Sequence, residues 1–239
     1  MSSDDAGTIT IRVNVADRAT LRNVDEVTIG VDADQNPDTG SVLYGVEFGL
    51  DLTGNEATFL RPDASGYLND APAPRSFQAS YSAGIATFTF KAGDVGMPLT
   101  SGFNVFALTF AEGGADTAPD VRTVNYQLVS GTPPAVPGPD RRAPLSEAVK
   151  GSGVHGKNVR LRYYVADGRG ESADTIRVYK GRKLLKTVRF PLADTNPFFR
   201  YYATWKVPKK VKGKLRFCVQ SVDRAGNTGN NGCAALTIK

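Results

Sequence analysis

Short runs of alternating apolar and polar residues, broken at close intervals by turn formers, fill this chain almost from end to end. Alternation of this kind sends every second side chain to one face, the period of a half-buried β-strand. On that ground residues 8–15 (TITIRVNV), 26–32, 42–52, 57–60, 76–81, 85–90, 103–110 and 122–129 are predicted strands. The series resumes with a first strand near 145–150, followed by 159–167, 175–181, 183–190, 200–207, 214–223 and 234–239. Turn clusters stand between them, among them TGN at 53–55, SAG at 82–84 and EGG at 112–114. No segment holds a 3.6-residue period long enough for a helix, so the fold class expected is all-β.

One stretch interrupts the pattern. Residues 129–144, VSGTPPAVPGPDRRAP, hold five prolines in sixteen residues and can continue neither a helix nor a central strand. The chain is therefore expected to fold as two β-sandwich domains, 1–130 and 144–239, joined by a Pro-rich linker at 131–143. An apolar fraction of 41% is adequate for packed cores. About seven short strands in the second half match the count of an immunoglobulin-like sandwich. No apolar run approaches the roughly 18 residues that span a bilayer, so no membrane span is expected. Nor does a basic-then-apolar leader precede the first strand, so an exported protein would carry its leader outside this sequence.

Charge divides the halves sharply. Residues 1–132 carry seven Lys/Arg against seventeen Asp/Glu, a net of −10, and residues 133–239 carry twenty-two against seven, a net of +15. Such asymmetry speaks to partners and association rather than to fold.

Candidate chemistry begins directly after the second predicted strand, at Asp32-Ala33-Asp34-Gln35-Asn36-Pro37-Asp38-Thr39-Gly40. Side-chain oxygens of Asp32, Asp34, Asn36 and Asp38 alternate as they would to converge on one hard cation, which makes structural Ca²⁺ the expected cofactor. The loop is not an EF-hand, because Pro37 stands where that motif needs Gly and Leu43 where it needs a bidentate Glu. Further ligands are expected from Glu47, Asp116 or Asp120. The alternative is an acidic solvated turn held by local hydrogen bonds.

The strand ending in VDADQNPDTG, the YGVEF that follows and ADTAPDVRTVNY near the end of the half resemble a DOMON-like sandwich, the superfamily that includes the family-nine carbohydrate-binding modules. The resemblance covers about residues 8–129 and implies a β-sandwich with structural calcium. The half contains no Trp and no His, so the resemblance carries over the fold and the metal but no sugar or haem ligand. The second half, through DRRAP at 140–144, YVADG at 164–168 and VDRAGN at 222–227, is similar to bacterial immunoglobulin-like domains of secreted and surface proteins. In VDRAGN, Asp and Asn cap a turn and Gly226 supplies a positive φ. An Asp140, Asp167 and Asp223 cluster holding a second cation is the alternative to turn chemistry alone.

Cys218 and Cys233 flank a Gly/Asn-rich loop between two predicted antiparallel strands, which in an oxidising compartment favours a cross-strand disulfide. No second Cys or His pair stands near enough to complete a zinc site. Lys206, Lys209, Lys210, Lys212 and Lys214 crowd one presumed hairpin. They read either as a sheet edge protected against pairing or as an electrostatic footprint for an anionic polymer. Alternation sends Phe199, Tyr201 and Ala203 to one face and Arg200, Tyr202 and Thr204 to the other, with Trp205 in the core and Tyr202 free to stack on a sugar. Nucleic acid fits the charge, but no nucleic-acid-binding motif accompanies it, so none is expected.

Catalysis finds little footing. His155, the single histidine, lies in a Gly-rich loop without a G-x-S-x-G elbow, and no phosphate loop or dinucleotide fingerprint is present. Glu47 and Asp51 share a strand face as a carboxyl pair would, but nothing else selects them. The reading is a noncatalytic secreted or cell-surface binding module for a polysaccharide or an anionic cell-envelope polymer. The alternative is a spacer or adhesive unit that self-associates through its acidic and basic halves.

Overall fold

The computed structural model describes residues 1–15, 18–97, 102–112, 114–120, 122–128 and 139–239. The heart of the predicted linker, 129–138, lies outside them. Two compact units emerge, Met1–Gly138 and Pro139–Lys239, each with its own core. The chain is all-β, with a single 3₁₀ turn at Ala92–Val95 as the helical content of the described residues.

The first unit contains β1 (Ser2–Ser3), β2 (Thr8–Asn14), β3 (Glu26–Asp32), β4 (Phe48–Thr53), β5 (Glu56–Pro62) and β6 (Leu68–Ala71). It continues with β7 (Gln78–Ser82), β8 (Ile85–Lys91), β9 (Phe103–Ala111), β10 (Gly114–Ala118) and β11 (Val124–Tyr126). One sheet runs β1-β2-β8-β7 and the other β10-β9-β3-β4-β5-β6, with β11 also on β9. Ile9, Ile11, Phe88 and Phe90 of the smaller sheet face Val27, Ile29, Phe48 and Leu50 of the larger. The rings of Phe48 and Phe90 meet edge-on at 5.5 Å across that interface. Each such side chain, fully removed from water, contributes about 1.5–3 kcal/mol.

Two sequence expectations change here. The run 42–52 is a strand only from Phe48, because Tyr44 and Gly45 take left-handed backbone (φ 59° and 72°) and turn the chain. The alternating strand β3 is buried almost throughout, because residues between it and β4 fold back over its outer face. Gly30 makes that cover possible: a Cβ there would stand 2.4 Å from the Phe106 ring, which packs edge-on against Tyr44.

The second unit contains β12 (Leu145–Ala148), β13 (Gly151–Gly153), β14 (Asn158–Ala166), β15 (Glu171–Lys180) and β16 (Lys183–Arg189). It ends with β17 (Ala193–Asp194), β18 (Tyr201–Lys206), β19 (Gly213–Val222) and β20 (Gly232–Ile238). The sheet β12-β14-β18 packs on β13-β20-β19-β15-β16 over a core that includes Leu161, Trp205, Ile176 and Phe217. All pairings are antiparallel except β13 with β20. Asp174 ties the sheets together from inside: it accepts hydrogen bonds from Tyr163 (3.0 Å), Ser172 (2.8 Å) and Ser221 (2.7 Å). Burial beside that carboxylate pushes the Tyr163 phenol pKa up.

Cys218 and Cys233 are register partners on β19 and β20 and are joined by a disulfide. Turn chemistry accounts for VDRAGN. Asp223 accepts from the Asn227 backbone N–H and side chain, both at 2.8 Å, and Gly226 has φ 91°.

Phe88→Ala would leave a cavity where both sheets of the first unit meet and is expected to cost about 3–5 kcal/mol. Urea unfolding followed through that unit checks it; a loss below 1 kcal/mol would mean the sheets do not close there as described.

Candidate functional site

The loop after β3 gathers charge. Asp32, Asp34 and Glu47 bring carboxylate oxygens within 4.8 Å of one another, the set of three converging acidic side chains among the described residues. Asp32 sits at the end of β3 and is buried, while Asn104, its register partner on β9, donates to it at 2.8 Å. Glu47 accepts from the Ala33 amide at 2.7 Å and the Thr39 hydroxyl at 2.9 Å. Asp34 accepts from the Asn36 amide at 2.9 Å and shares the single Thr39 hydroxyl proton with Glu47, its carboxylate lying 3.0 Å from that oxygen. Gly40 completes the cradle, since a Cβ there would stand 2.7 Å from a Glu47 carboxylate oxygen.

Burial, then the neighbouring Glu47 and Asp34 charges, pushes the Asp32 pKa up to about 7 against the pull of Asn104. Burial and the Asp34 charge push Glu47 up too. Asp32, Asp34 and Glu47 thus form an all-oxygen donor set in which burial and neighbouring charge raise Asp32 and Glu47, the chemistry that a hard divalent cation takes.

Not every predicted ligand joins the set. Asn36 uses its side-chain carbonyl to accept from the Asp38 amide at 3.1 Å, and Asp38 stands outside the converging group. Asp116 accepts from the Thr117 amide at 3.0 Å, and neither it nor Asp120 belongs to the group. Glu47, predicted as a supplementary ligand, takes their place. Asn104 could not be foreseen, because only the β3–β9 register brings it to Asp32.

The proposed carboxyl pair separates by role. Glu47 belongs to the loop, whereas Asp51 lies in β4 and accepts from Thr28 at 2.7 Å and Thr53 at 3.0 Å. Burial chiefly, with the Glu26 charge, pushes the Asp51 pKa up to about 6. Turn chemistry describes the second cluster: Asp140 pairs with Arg169 (3.2 Å), Asp167 accepts from the backbone amides of Arg169 and Glu171, and burial, with the Asp140 and Asp223 charges, pushes the Asp167 pKa up to about 6. These carboxylates organise loops.

In the basic unit the lysines do not form one hairpin. β18 pairs with β14 and β19 with β15 and β20, so the connection crosses from one sheet to the other. Lys206 and Tyr202 lie on the outer face of β18, opposite Asn158 and Arg162, and the Arg160 guanidinium sits over the Tyr202 ring at 4.8 Å. Lys209 and Lys210 occupy the exposed turn, Lys212 follows, and Lys214 opens the outer face of β19. Trp205 and Ala203 point into the core and Tyr202 is half exposed. His155 lies in the turn between β13 and β14, where its backbone N–H donates to the Lys239 carbonyl at 3.1 Å.

These features define a protein built of β-sandwich modules, one acidic and one basic. No known protein-family profile and no curated protein matches the chain. Among solved structures, fibronectin(III)-like modules of Clostridium thermocellum CbhA are similar at 10% identity, over 80% of this chain and 84% of that one, with a TM-score of 0.30. The calcium binding domain CBD12 of CALX1.1 is similar at 10% identity over 98% and 94%, with a TM-score of 0.29. A chimeric titin Z1Z2 tandem follows at 12% identity over 97% and 91%, with a TM-score of 0.27.

Because the folded pKa of Asp51 is raised, its contribution to stability is present below about pH 4 and lost as pH rises through about 6. Asp51→Asn keeps an acceptor for Thr28 without the charge. Its melting temperature should match the native chain at pH 4 and exceed it increasingly up to pH 7; parallel curves would show that Asp51 is not desolvated.

Proposed function

We propose that this chain is a noncatalytic, secreted or cell-surface binding protein whose basic sandwich takes anionic glycans and whose acidic sandwich is braced by structural Ca²⁺. The observation that carries the reading is how the basic unit uses its carboxylates. Asp140 pairs with Arg169 and Glu171 with Arg224, Asp174 serves buried hydroxyls, and Asp223 serves Asn227. Most acidic groups of the unit are thus engaged within the fold, with Glu147 and Asp194 exposed, while exposed cations such as Arg160, Arg162, Lys206, Lys209 and Lys210 stand in no ion pair among the described residues. A dense positive surface of this kind attracts polyanions over a Debye length and releases them in salt. The disulfide supports an oxidising compartment, and no helix among the described residues is long and apolar enough to cross a membrane.

In the acidic unit Asp32, Asp34 and Glu47 would hold Ca²⁺, which would neutralise their repulsion and fix the loop against β3. A ligand bound only by the folded state at 100 times its Kd stabilises that state by about 2.7 kcal/mol. Calcium is expected to raise the melting temperature of the first unit relative to chelator, and Asp34→Asn to remove the response. An unchanged melt would reject the metal.

The whole chain is expected to be retained on an acidic polysaccharide at 50 mM salt, released by 500 mM, and not retained on a neutral one. Retention on neither resin, together with salt-dependent dimerisation in sedimentation, would favour self-association through the two halves instead.

A further inference from the structure

The strand register places an arginine row where the primary sequence scatters it. On the outer face of the sheet β13-β20-β19-β15-β16, Arg189 of β16 stands opposite Thr175 and Arg177 of β15 opposite Thr187. Arg216 of β19 stands opposite Tyr179, two residues along β15 from Arg177. The three arginines are therefore diagonal neighbours on three consecutive strands, about 7–8 Å from one to the next. Lys214 continues the cationic side of β19 beyond Arg216. The facing stretches Thr175–Lys180, Thr187–Arg189, Lys214–Gln220 and Cys233–Thr237 contain no Asp or Glu on that face. Glu171, at the start of β15, is engaged by Arg224.

Neutral groups hold two of these guanidiniums in place. Arg177 donates to the Gln220 side-chain carbonyl at 3.2 Å, and the Arg216 guanidinium lies over the Tyr179 ring at 5.5 Å. Neither contact cancels the charge, and none of Arg177, Arg189, Arg216 or Lys214 has an ion-pair partner among the described residues. A guanidinium fork held in this way is prepared for bidentate pairing with a carboxylate or sulfate.

We propose that this face is the binding site for an acidic polysaccharide, which crosses the sheet diagonally and places successive carboxylate or sulfate groups on Arg189, Arg177 and Arg216. Gln220, Thr175 and Thr187 supply hydrogen-bonding groups for sugar hydroxyls between the charged steps. The one aromatic ring in the row, Tyr179, is already covered by Arg216, so the face has no row of open rings on which the bases of a single-stranded nucleic acid would stack. The inference rests on the reading of the basic unit as a glycan-binding module and assigns the site within it. It places recognition on arginines rather than on the lysines of the β18–β19 connection.

Binding of the whole chain to polygalacturonate and to heparin at 150 mM salt, by calorimetry, tests the site. R177Q/R216Q should weaken binding at least tenfold and lower the slope of log affinity against log salt by about two. R189Q, on a side chain with no hydrogen-bond or ion-pair partner among the described residues, should weaken it about threefold to tenfold. K209Q/K210Q should change it less than twofold. Loss in K209Q/K210Q with R177Q/R216Q and R189Q at native affinity would overturn the arginine row while leaving glycan binding intact. No binding of the native chain to either polymer would overturn both. Binding of a single-stranded DNA oligonucleotide as tight as that of the polysaccharides, and equally reduced in R189Q, would overturn the glycan assignment in favour of charge alone. Melting curves of each variant matching the native chain confine the effects to binding.

Discussion

Phe48 and Phe90 meet across the first sandwich, and Leu161, Trp205, Ile176 and Phe217 close the second. Everything functional in the molecule follows from that apolar contact between facing sheets. Once every second residue of a strand is committed inward, the residues between must point to solvent, and their chemistry becomes the chemistry of the surface. In β14 the committed set is Val159, Leu161, Tyr163 and Val165, so Asn158, Arg160 and Arg162 are displayed. In β19, Leu215, Phe217 and Val219 impose the same display on Lys214 and Arg216. On these two strands, cationic side chains are therefore carried on the outward sheet face.

Three of the buried carboxylates, Asp25, Asp174 and Asp32, meet three different environments. Asp25 is held by Arg18 and Arg22, whose guanidiniums and the Arg22 amide keep its pKa well below the usual carboxylate range. Asp174 is satisfied by hydroxyl donors from three strands and serves as an internal tie. Asp32 has an amide partner but faces two like charges, and burial raises its pKa rather than lowering it. The first two arrangements are complete in themselves, whereas the third leaves negative charge to be balanced.

Alternation made the strands and the outward face of Tyr202 legible from the amino-acid order, because pleating is a local rule, and the run of prolines at 133–144 made the two-part organisation legible. The Asp32 loop was legible as a cluster of oxygen donors. Which donors converge was not, since the Asn36 side chain turns to the Asp38 amide and Asp38 stands outside the group, while Glu47 returns from the far end of the loop. The edge strands β6 and β10 escaped notice because their residues, LNDA and GADTA, carry too few apolar positions to show a period. The lysines looked like one hairpin because sequence proximity cannot reveal that a connection changes sheets. Register-dependent features, such as the Arg189, Arg177 and Arg216 diagonal, have no local signal at all.

The parallel pairing of β13 with β20 gives the second unit a mechanical character. β13 lies near the beginning of the unit and β20 at its end, with Gly151, Ser152 and Gly153 set beside Leu236, Thr237 and Ile238. Because the two strands run parallel, drawing the start of β13 and the end of β20 apart loads their shared hydrogen bonds in shear rather than one by one. Within the same sheet the Cys218–Cys233 bond fastens β20 to β19. The last strand is thereby tied covalently to a central strand of the sheet.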